Sequence, residues 1–308
     1  MIKLIKPNEI TFDNKYSMLI YGEPGIGKTT TALSASNACL LDFEGGMKRV
    51  QPQFWIPSLQ VKLFSDVIKL LQSEELNAYN TIVVDPLSSL VDSIICYLLD
   101  KFPKLKNGNN LSIRGYGELK TEFNNFWRML KNKQKNIILV AHEKQETNGE
   151  NSYMIPDVGS GSSGREIIKH IDLIGRMTHL NGKRAIYFDA ANSEFFAKNP
   201  FNLPNSMIVD NPMTKNNFIA SMVEPAIQKQ YDLMKSLRNN YEELSSSIDV
   251  KLENIKDVDA CNAFYKQVTE DSDLARKGYL WRDKLLEKIK ALNLEWDKDK
   301  REFVCITQ

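Results

Sequence analysis

Eight consecutive residues decide the fold of this chain: Gly22-Glu23-Pro24-Gly25-Ile26-Gly27-Lys28-Thr29. They complete the pattern G-x-x-x-x-G-K-[ST], whose glycines let backbone N–H groups fold around a row of phosphates. The apolar run 17–21 precedes the motif, and residues 30–34 follow it in a helical pattern. This order of strand, glycine-rich loop and helix would set the phosphates at the positive end of a helix dipole.

The motif predicts that residues 22–30 bind ATP or GTP, and we expect ATP and Mg²⁺ as the ligands. Lys28 should reach the β- and γ-phosphates, and the hydroxyl of Thr29 should bind Mg²⁺. Thr30 continues the site into the predicted helix. The alternative is a glycine-rich turn with a nearby lysine, which the flanking strand and helix patterns disfavour.

The composition is that of an ordinary globular chain. Its 308 residues are 42% hydrophobic and 26% charged, enough for one medium α/β domain and a smaller unit. The 40 Lys and Arg residues balance 39 Asp and Glu residues, for a formal charge of +1. Any nucleic-acid binding must therefore come from local basic segments. Since no long apolar stretch is present, we expect a cytoplasmic protein and no membrane span.

Apolar strand patterns alternate with helical patterns through the first part of the chain. The strand patterns cover 38–42, 81–85 and 136–142, and the helical patterns cover 65–72, 87–102 and 118–130. Strands that are apolar on both faces and alternate with helices are typical of a covered parallel sheet. The aromatic stripe at 123–127 favours core packing over a surface for stacking bases. The predicted fold class is α/β with a mostly parallel central sheet.

Two segments interrupt this alternation and are rich in Gly, Asn, Ser and charged residues: 103–117 and 143–164. Structureless loops of this length in a compact domain are usually functional or disordered. After them, the runs 171–180 and 184–189 flank Asn181-Gly182, a turn sequence typical of a β-hairpin. We therefore expect two long loops and an antiparallel extension of the sheet.

The composition changes at Met213, where the strand patterns end. The sequence predicts a nucleotide-binding core in residues 1–212 and a helical domain or arm in residues 213–308. One long amphipathic helix is opened by Pro225, with apolar residues three and four positions apart, and shorter helices follow it. This region could pack on itself as a bundle, or dock on a neighbouring subunit or a protein partner.

Two carboxylates would complete the chemistry of the nucleotide site. The run 81–85 ends in Asp85, which would hold Mg²⁺ through water. Pro86 stands where AAA+ ATPases and many helicases carry their catalytic glutamate, so the base must lie elsewhere. Glu44 is the candidate because it comes just past the carboxyl end of the second strand, where phosphates bind. A carboxylate there can orient and deprotonate the attacking water.

At residues 42–44 the sequence resembles the RecA-like ATPases, in which a strand ending in Asp-x-Glu supplies the catalytic glutamate. The resemblance covers about residues 15–205 and is nearest to the compact phage RecA-core ATPases of single-strand annealing and recombination. It implies a RecA-like P-loop core. It also gives His142, at the end of the run 138–142, the role of sensing the γ-phosphate. That residue is often Gln in RecA, so His142 is a departure.

The resemblance further implies that the two long loops face single-stranded DNA. The residues it assigns to DNA are Lys104, Lys106, Arg114, Tyr116 and Arg165. Cations and hydrogen-bond donors on such loops can contact backbone phosphates, although polar loops are more often simply solvated.

Lys198 is the last residue that the resemblance implicates. In RecA-like proteins, lysines in the corresponding segment reach the ATP of an adjacent subunit, which would make Lys198 a charge clamp in trans. The alternative is an exposed lysine at a strand end. The resemblance thus implies a homo-oligomer, either a ring or a filament. The motif starts at Gly22, which leaves no room for the N-terminal helix of bacterial RecA, so we expect contacts through the core or the helical region.

These features favour a DNA-stimulated ATPase that binds single-stranded DNA and promotes annealing or strand exchange in phage recombination, inside a bacterial host. Two alternatives use the same core. One is a helicase or helicase loader, which strand-displacement assays would separate. The other is a partner-regulated adaptor ATPase that acts through its helical region without DNA. A small-molecule kinase is disfavoured because the sequence has no arginine-rich lid.

Overall fold

A computed structural model of the chain describes residues 5, 10, 14–108, 110–149, 151–159, 168–189, 194–209 and 215–306. Contacts between Cα atoms divide the chain into two units. Residues 13–230 form the larger unit, and residues 1–12 with 231–308 form the smaller one. The boundary predicted after residue 212 lies upstream of this division, which falls within a long helix.

Nine strands of the described residues form one sheet in the larger unit. The strands of this unit are β1 (Ser17–Gly22), β2 (Ala38–Asp42), β3 (Ser58–Gln60), β4 (Thr81–Asp85), β5 (Lys106–Asn107), β6 (Asn110–Leu111), β7 (Asn136–Asn148), β8 (Asn151–Asp157), β9 (Leu173–Leu180), β10 (Lys183–Tyr187) and β11 (Ser206–Ile208). The order in space is β11-β10-β9-β1-β7-β4-β2-β3, with β8 beside β7. β5 and β6 pair only with each other.

The six strands from β9 to β3 run parallel, which confirms the predicted fold class. Every residue of β1, β2 and β4 is buried, as expected for a sheet covered on both faces. Their carboxyl ends meet at one edge, where the register sets Gly22 between His142 of β7 and Met177 of β9. That edge is therefore the place to look for a nucleotide site.

The antiparallel extension of the sheet was also predicted correctly. β9 and β10 pair as a hairpin, and β11 adds a further antiparallel strand. The turn between them has positive φ angles at Asn181 (50°) and Gly182 (75°). These two residue types tolerate the left-handed conformation that a tight hairpin turn requires.

Helices cover both faces of the sheet. They are α1 (Lys28–Ala32), α2 (Phe64–Gln72), α3 (Leu87–Lys101) and α4 (Ile113–Asn132). One face packs against α2, α3 and α4, and its core contains Phe123, Phe126 and Trp127, so the predicted aromatic core stripe is confirmed. α1 lies on the opposite face, where the hydroxyl of Thr31 contacts the sulfur of Met177 at 3.9 Å.

The prediction of a structureless loop over 103–117 is wrong. A 3₁₀ turn leads into the β5–β6 hairpin, and α4 begins directly after Ser112. Ser112 caps this helix because its Oγ accepts a hydrogen bond from the Gly115 N–H at 3.2 Å. Asn107 and Asn110 belong to β5 and β6, and Gly115 and Gly117 to the first turns of α4. Arg114 and Tyr116 also lie on the first turns of α4.

The loop predicted over 143–164 is also wrong through residue 157. β7 continues to Asn148 and pairs antiparallel with β8, in a register that runs from His142–Asp157 to Asn148–Asn151. The polar composition of residues 143–157 is compatible with a pair of strands whose side chains are partly exposed to solvent, beyond the part of the sheet that helices cover. Residues 150 and 160–164 lie outside the described residues.

The smaller unit is helical with one hairpin. Its elements are α5 (Glu224–Glu253, from residue 231 onward), α6 (Val258–Glu270), α7 (Ser272–Arg276), α8 (Arg282–Ala291), β12 (Leu294–Asp297) and β13 (Glu302–Cys305). The long helix was predicted, whereas the β12–β13 hairpin was not. Phe303 of this hairpin packs into a core with Cys261, Phe264 and Trp281. Because these contacts join segments distant in sequence, periodicity within one segment does not reveal them.

A carboxylate fixes the start of α5 within the larger unit. Glu224 accepts hydrogen bonds from the Tyr16 hydroxyl at 3.0 Å, from the Ser36 N–H at 3.1 Å and from the Ser36 hydroxyl. Burial, reinforced by the Glu224 charge, raises the pKa of Tyr16 well above its ordinary value. Among the described residues, no helix combines the length and apolar character that spanning a bilayer requires.

We expect Gly22→Ala to destabilise the larger unit, because a Cβ at this position would lie 2.2 Å from the carbonyl oxygen of Met177. The backbone of β9 cannot move aside as a flexible side chain could. The free energy of unfolding, measured by urea denaturation, should fall by about 2–4 kcal/mol. Gly117→Ala in α4 is the control, since open space surrounds that position; it should be neutral or stabilising by up to ~1 kcal/mol. An unchanged midpoint for Gly22→Ala would contradict this prediction.

Candidate active site

The phosphate loop connects β1 to α1 at the carboxyl edge of the sheet. Its first residue, Gly22, ends β1, and Lys28 begins α1. The helix forms at once because the Thr31 N–H donates to the Gly27 carbonyl at 3.0 Å. Residues 23–25 between these elements are exposed. The loop is thus anchored at both ends by regular structure and open in the middle.

Lys28 is buried beneath this loop. Its Nζ donates hydrogen bonds to the carbonyl oxygens of Gly22 at 2.9 Å and Glu23 at 2.7 Å. Burial lowers the pKa of Lys28, and the carboxylates of Asp85 and Glu143 oppose that shift. The ammonium group is therefore held at the loop by neutral acceptors, which a phosphate oxygen can replace as a stronger, charged acceptor.

Thr29 and Asp85 meet although 56 residues separate them in sequence. The Thr29 hydroxyl donates to Asp85 Oδ2 at 2.5 Å. Burial is the main cause that raises the pKa of Asp85 to about 6; the hydrogen bond from Thr29 opposes the shift, and the Asp42 carboxylate adds to it. Mg²⁺ bound with ATP phosphates needs only one or two protein oxygens. The adjacent hydroxyl and carboxylate fit that requirement.

Asp42 has a role in the site that the sequence analysis did not predict. It is 3% exposed and accepts hydrogen bonds from the N–H groups of Glu44 (3.2 Å), Gly46 (2.8 Å) and Met47 (3.0 Å). An aspartate commonly accepts from the backbone two residues on, and this tendency was the available signal. The carboxylate folds the turn after β2 and so sets where Glu44 stands.

Glu44 lies at the rim of the site. Its Oε1 accepts a hydrogen bond at 2.6 Å from Ser89, in the first turn of α3. Its Oε2 is 3.9 Å from the guanidinium of Arg49. Both partners are polar and the Glu44 side chain is 42% exposed, so water can reach the carboxylate. The sequence reasoning found Glu44 but not these two partners, which lie on other elements.

His142 ends the part of β7 that pairs with β1, directly beside Gly22. Its Nδ1 is buried and has no hydrogen-bond partner among the described residues. Burial and the neighbouring Lys28 charge lower the pKa of His142, which favours a neutral imidazole. A neutral ring next to the phosphate loop can donate or accept one hydrogen bond according to its tautomer.

One cavity of about 450 Å³ brings together the predicted catalytic and metal residues other than Lys198. Its lining includes Lys28, Thr29, Glu44, Asp85 and His142, together with Pro24, Gly25, Gly27, Thr30 and Arg49. They come from the phosphate loop and from the carboxyl ends of β2, β4 and β7. The arrangement combines a cation, a hydroxyl, two carboxylates and an imidazole in a volume suited to a small ligand.

The remaining predicted residues lie elsewhere. The Lys198 Nζ donates to the Ile171 carbonyl at 2.6 Å, and Lys198 lines a different, largely apolar cavity of about 510 Å³. Lys104 and Arg114 line a third cavity, of about 400 Å³, between the end of α3 and the start of α4. Lys106 lies in β5. Arg165 is outside the described residues.

A comparison with protein families agrees with this geometry. The sequence model of the AAA domain family matches residues 14–201, more than half of the chain. The chain therefore belongs to this family of P-loop ATPases, and the family supports ATP hydrolysis as the general activity. A search of curated proteins gave no match.

We expect Asp85→Asn to stabilise the protein while abolishing ATP hydrolysis. The pKa of Asp85 is about 6 in the folded chain against an ordinary value of 3.8, so its ionisation opposes folding as the pH rises through this interval. Without nucleotide or Mg²⁺, the variant should gain roughly 1–3 kcal/mol in unfolding free energy at pH 8 and less at pH 5. Paired thermal and urea unfolding at both pH values measures this.

The control for that measurement is Asp66→Asn, because Asp66 lies in α2 with an exposed lysine partner. Its stability should change by less than ~0.5 kcal/mol at either pH. A loss of stability in Asp85→Asn at pH 8 would refute the assignment of Asp85 as a buried, destabilising carboxylate.

Proposed function

We propose that this protein is a single-stranded-DNA-stimulated ATPase of DNA recombination that acts as a homo-oligomer in annealing or strand exchange. The general activity, ATP hydrolysis, follows from the family. The proposal adds the DNA ligand, the assembly and the biological setting, which is phage recombination in the cytoplasm of a bacterial host. It is supported by one surface of the larger unit and by the helix that connects this surface to Glu44.

In the proposed reaction, residues 22–30 hold the phosphates of ATP and Lys28 contacts the β- and γ-phosphates. Thr29 and Asp85 would hold Mg²⁺, which neutralises charge on these phosphates when bound. Glu44 orients and deprotonates the attacking water, since it is the water-accessible carboxylate of the cavity. His142 contacts the γ-phosphate through its imidazole and responds to its loss.

The observation that carries the DNA proposal is an exposed surface at the end of α3 and the start of α4, here termed the α3–α4 surface. Its residues at the end of α3 and in the following turn are Lys101, Phe102 and Lys104, and those on the first turns of α4 are Ile113, Arg114 and Tyr116. The acidic Glu118 lines the same cavity as Lys104 and Arg114. Ile113 is 94% exposed, Phe102 46% and Tyr116 38%. The Lys101 ammonium lies 5.4 Å from the centre of the Phe102 ring.

Exposed apolar side chains beside cations are better satisfied by binding single-stranded DNA than by contact with water. Aromatic faces can stack bases, and cations can contact the backbone phosphates. Ile113 is the first residue of α4 and lies near two exposed aromatic residues in sequence, so these apolar side chains form a group and not a single exposed residue. The cavity of about 400 Å³ between Lys104 and Arg114 adds a concave site to this surface.

α3 would couple this surface to the nucleotide. The helix begins just after Asp85-Pro86, and its Ser89 donates to Glu44. It ends at Lys101, 15 residues and about 22 Å along the helix axis. A rigid element with one end at each site can transmit a shift between them, and such coupling must be reciprocal.

A homo-oligomer would give Lys198 its role. Its backbone pairs with Ile174 of β9, with hydrogen bonds of 2.8 and 3.1 Å, so its position is fixed. Its Nζ has a neutral carbonyl partner, Ile171, and a phosphate of a neighbouring subunit would be a stronger acceptor. We propose that Lys198 acts in trans as a charge clamp.

One observation favours a partner-regulated ATPase as the second candidate. The smaller unit has its own apolar cavity of about 410 Å³, whose lining includes Trp281, Leu285 and Leu286. Leu286 is 53% exposed. A protein partner that binds there could control hydrolysis without DNA.

We expect single-stranded DNA to stimulate steady-state ATP hydrolysis, with a stimulation that weakens between about 50 and 200 mM salt because backbone contacts release counterions. Lys28→Ala is the blank. Lys104→Glu/Arg114→Glu should reduce the stimulation at least tenfold and leave the basal rate within twofold. Lys298→Glu/Lys300→Glu, at exposed lysines of the smaller unit, is the charge-matched control. A hydrolysis rate that does not change with DNA would favour the hypothesis of a partner-regulated ATPase.

Glu44→Gln should retain ATP binding and lose hydrolysis by about 100-fold or more, because glutamine keeps the hydrogen bond to Ser89 but cannot accept the proton of water. With ATP trapped, the variant should bind single-stranded DNA more tightly than the parent protein does. Nucleotide binding, single-turnover hydrolysis and DNA anisotropy measure these three effects. Hydrolysis at the parent rate would remove Glu44 from the mechanism.

A further inference from the structure

A buried ion pair lies next to the predicted γ-phosphate sensor. Glu143 follows His142 directly, and its carboxylate accepts two hydrogen bonds from Arg176 of β9. The Arg176 Nε is 2.8 Å from Glu143 Oε2, and the Arg176 Nη2 is 3.4 Å from Glu143 Oε1. The side chain of Glu143 is 5% exposed and that of Arg176 is 17% exposed. This is the two-pronged geometry in which an arginine fixes a carboxylate most firmly.

The pair joins β7 and β9 beside the end of β1. β1 lies between β7 and β9 as far as Gly22, where the chain departs to form the phosphate loop. β7 and β9 both continue past this point. Glu143 is the first residue of β7 beyond its pairing with β1, and Arg176 sits beside Tyr21. The two side chains thus join the strands that flank the phosphate loop.

The surroundings of the pair are fixed by further contacts. The Phe195 ring lies 5.7 Å from the Arg176 guanidinium carbon. The Tyr21 hydroxyl donates to the Phe196 carbonyl at 2.6 Å and accepts from the Phe196 N–H at 3.0 Å. The segment that leads to Lys198 is therefore held against β1 at the same place. The Glu143 charge also acts on Lys28.

A role in stability alone explains this pair poorly. Removing two charges from water offsets much of their attraction, and well-packed neutral residues often serve stability equally well. A two-pronged ion pair does, however, restrict the relative position of two strands. Here that restriction applies to the backbone on either side of the loop that holds phosphate.

We propose that Glu143 and Arg176 are positioning residues for ATP hydrolysis, which hold the end of β7, and with it His142, in place against the phosphate loop. The inference rests on the proposed role of His142 and on ATP as the substrate. It predicts that loss of the pair lowers kcat and leaves ATP binding nearly intact, since the residues that bind the phosphates are unchanged.

The test compares Glu143→Gln, Arg176→Gln and the double variant by melting temperature, kcat and KM for ATP. Each single variant leaves one buried charge without its partner, so both should lose stability. The double variant removes both charges and should recover most of the melting temperature. In the double variant the side chain at position 176 is too short to reach the one at position 143. The value of kcat should therefore stay at least tenfold below the parent value, with KM within threefold.

Two further variants sharpen the result. Arg176→Lys keeps the charge but loses the two-pronged contact, so kcat should fall about threefold to tenfold while the melting temperature falls less than in Arg176→Gln. Arg238→Gln/Glu242→Gln is the control for removing an Arg–Glu pair away from the site; this pair lies in the smaller unit and is more exposed. Its kcat should equal that of the parent protein.

Recovery of kcat together with melting temperature in the double variant would overturn the proposal and leave the pair a structural contact. A parent-like kcat in Arg176→Lys would overturn it as well. Failure of the proposed function gives a different result, because hydrolysis by the parent protein would then be indifferent to single-stranded DNA while the order of kcat values among these variants stayed the same. Each outcome therefore identifies which of the two statements is wrong.

Discussion

Among the charged side chains buried at the carboxyl edge of the central strands, Lys28, Asp42 and Asp85 each have hydrogen-bond partners that satisfy them. Lys28 donates to two loop carbonyls, Asp42 accepts from three backbone N–H groups, and Asp85 accepts from Thr29. A buried charge without such partners would be costly. The bonds of Lys28 and Asp42 fix the segments that follow β1 and β2, and the Thr29–Asp85 bond joins the start of α1 to the end of β4.

This constraint also explains why the site is poised for an anionic ligand. The acceptors of Lys28 are neutral carbonyls, and burial raises the pKa of Asp85 to about 6. Both groups would gain from ATP and Mg²⁺, because a phosphate can pair with the ammonium and a cation can pair with the carboxylate. The site therefore gives up some stability in the unliganded protein, as functional sites often do.

The layers outside the cavity connect it to the rest of the larger unit. α3 runs from the site to the α3–α4 surface, and the Glu143–Arg176 pair joins the strands beside the phosphate loop. On the opposite side, Glu224 ties the start of α5 to Ser36, just after α1. Elements that line the candidate nucleotide site thus continue to the α3–α4 surface, to β9 and to the start of α5, and connected elements of this kind can carry coupling between sites.

The sequence by itself determined the phosphate loop, the parallel sheet, the Asn181-Gly182 hairpin and the long helix α5. Each depends on residues close in sequence, where period and turn chemistry act directly. It also indicated Glu44 and Asp85, because parallel strands bring their carboxyl ends to one edge. Only the tertiary structure decided that 103–117 and 143–157 are regular, that Asp42 folds the turn after β2, and that Glu143 meets Arg176. The Glu143–Arg176 pair spans 33 residues and β7 is continued by pairing with β8, and local composition does not encode such contacts. The Asp42 turn and the Ser112 cap use contacts within five residues, but Asp and Ser make such contacts at only some of their positions, so the structure was needed to identify them.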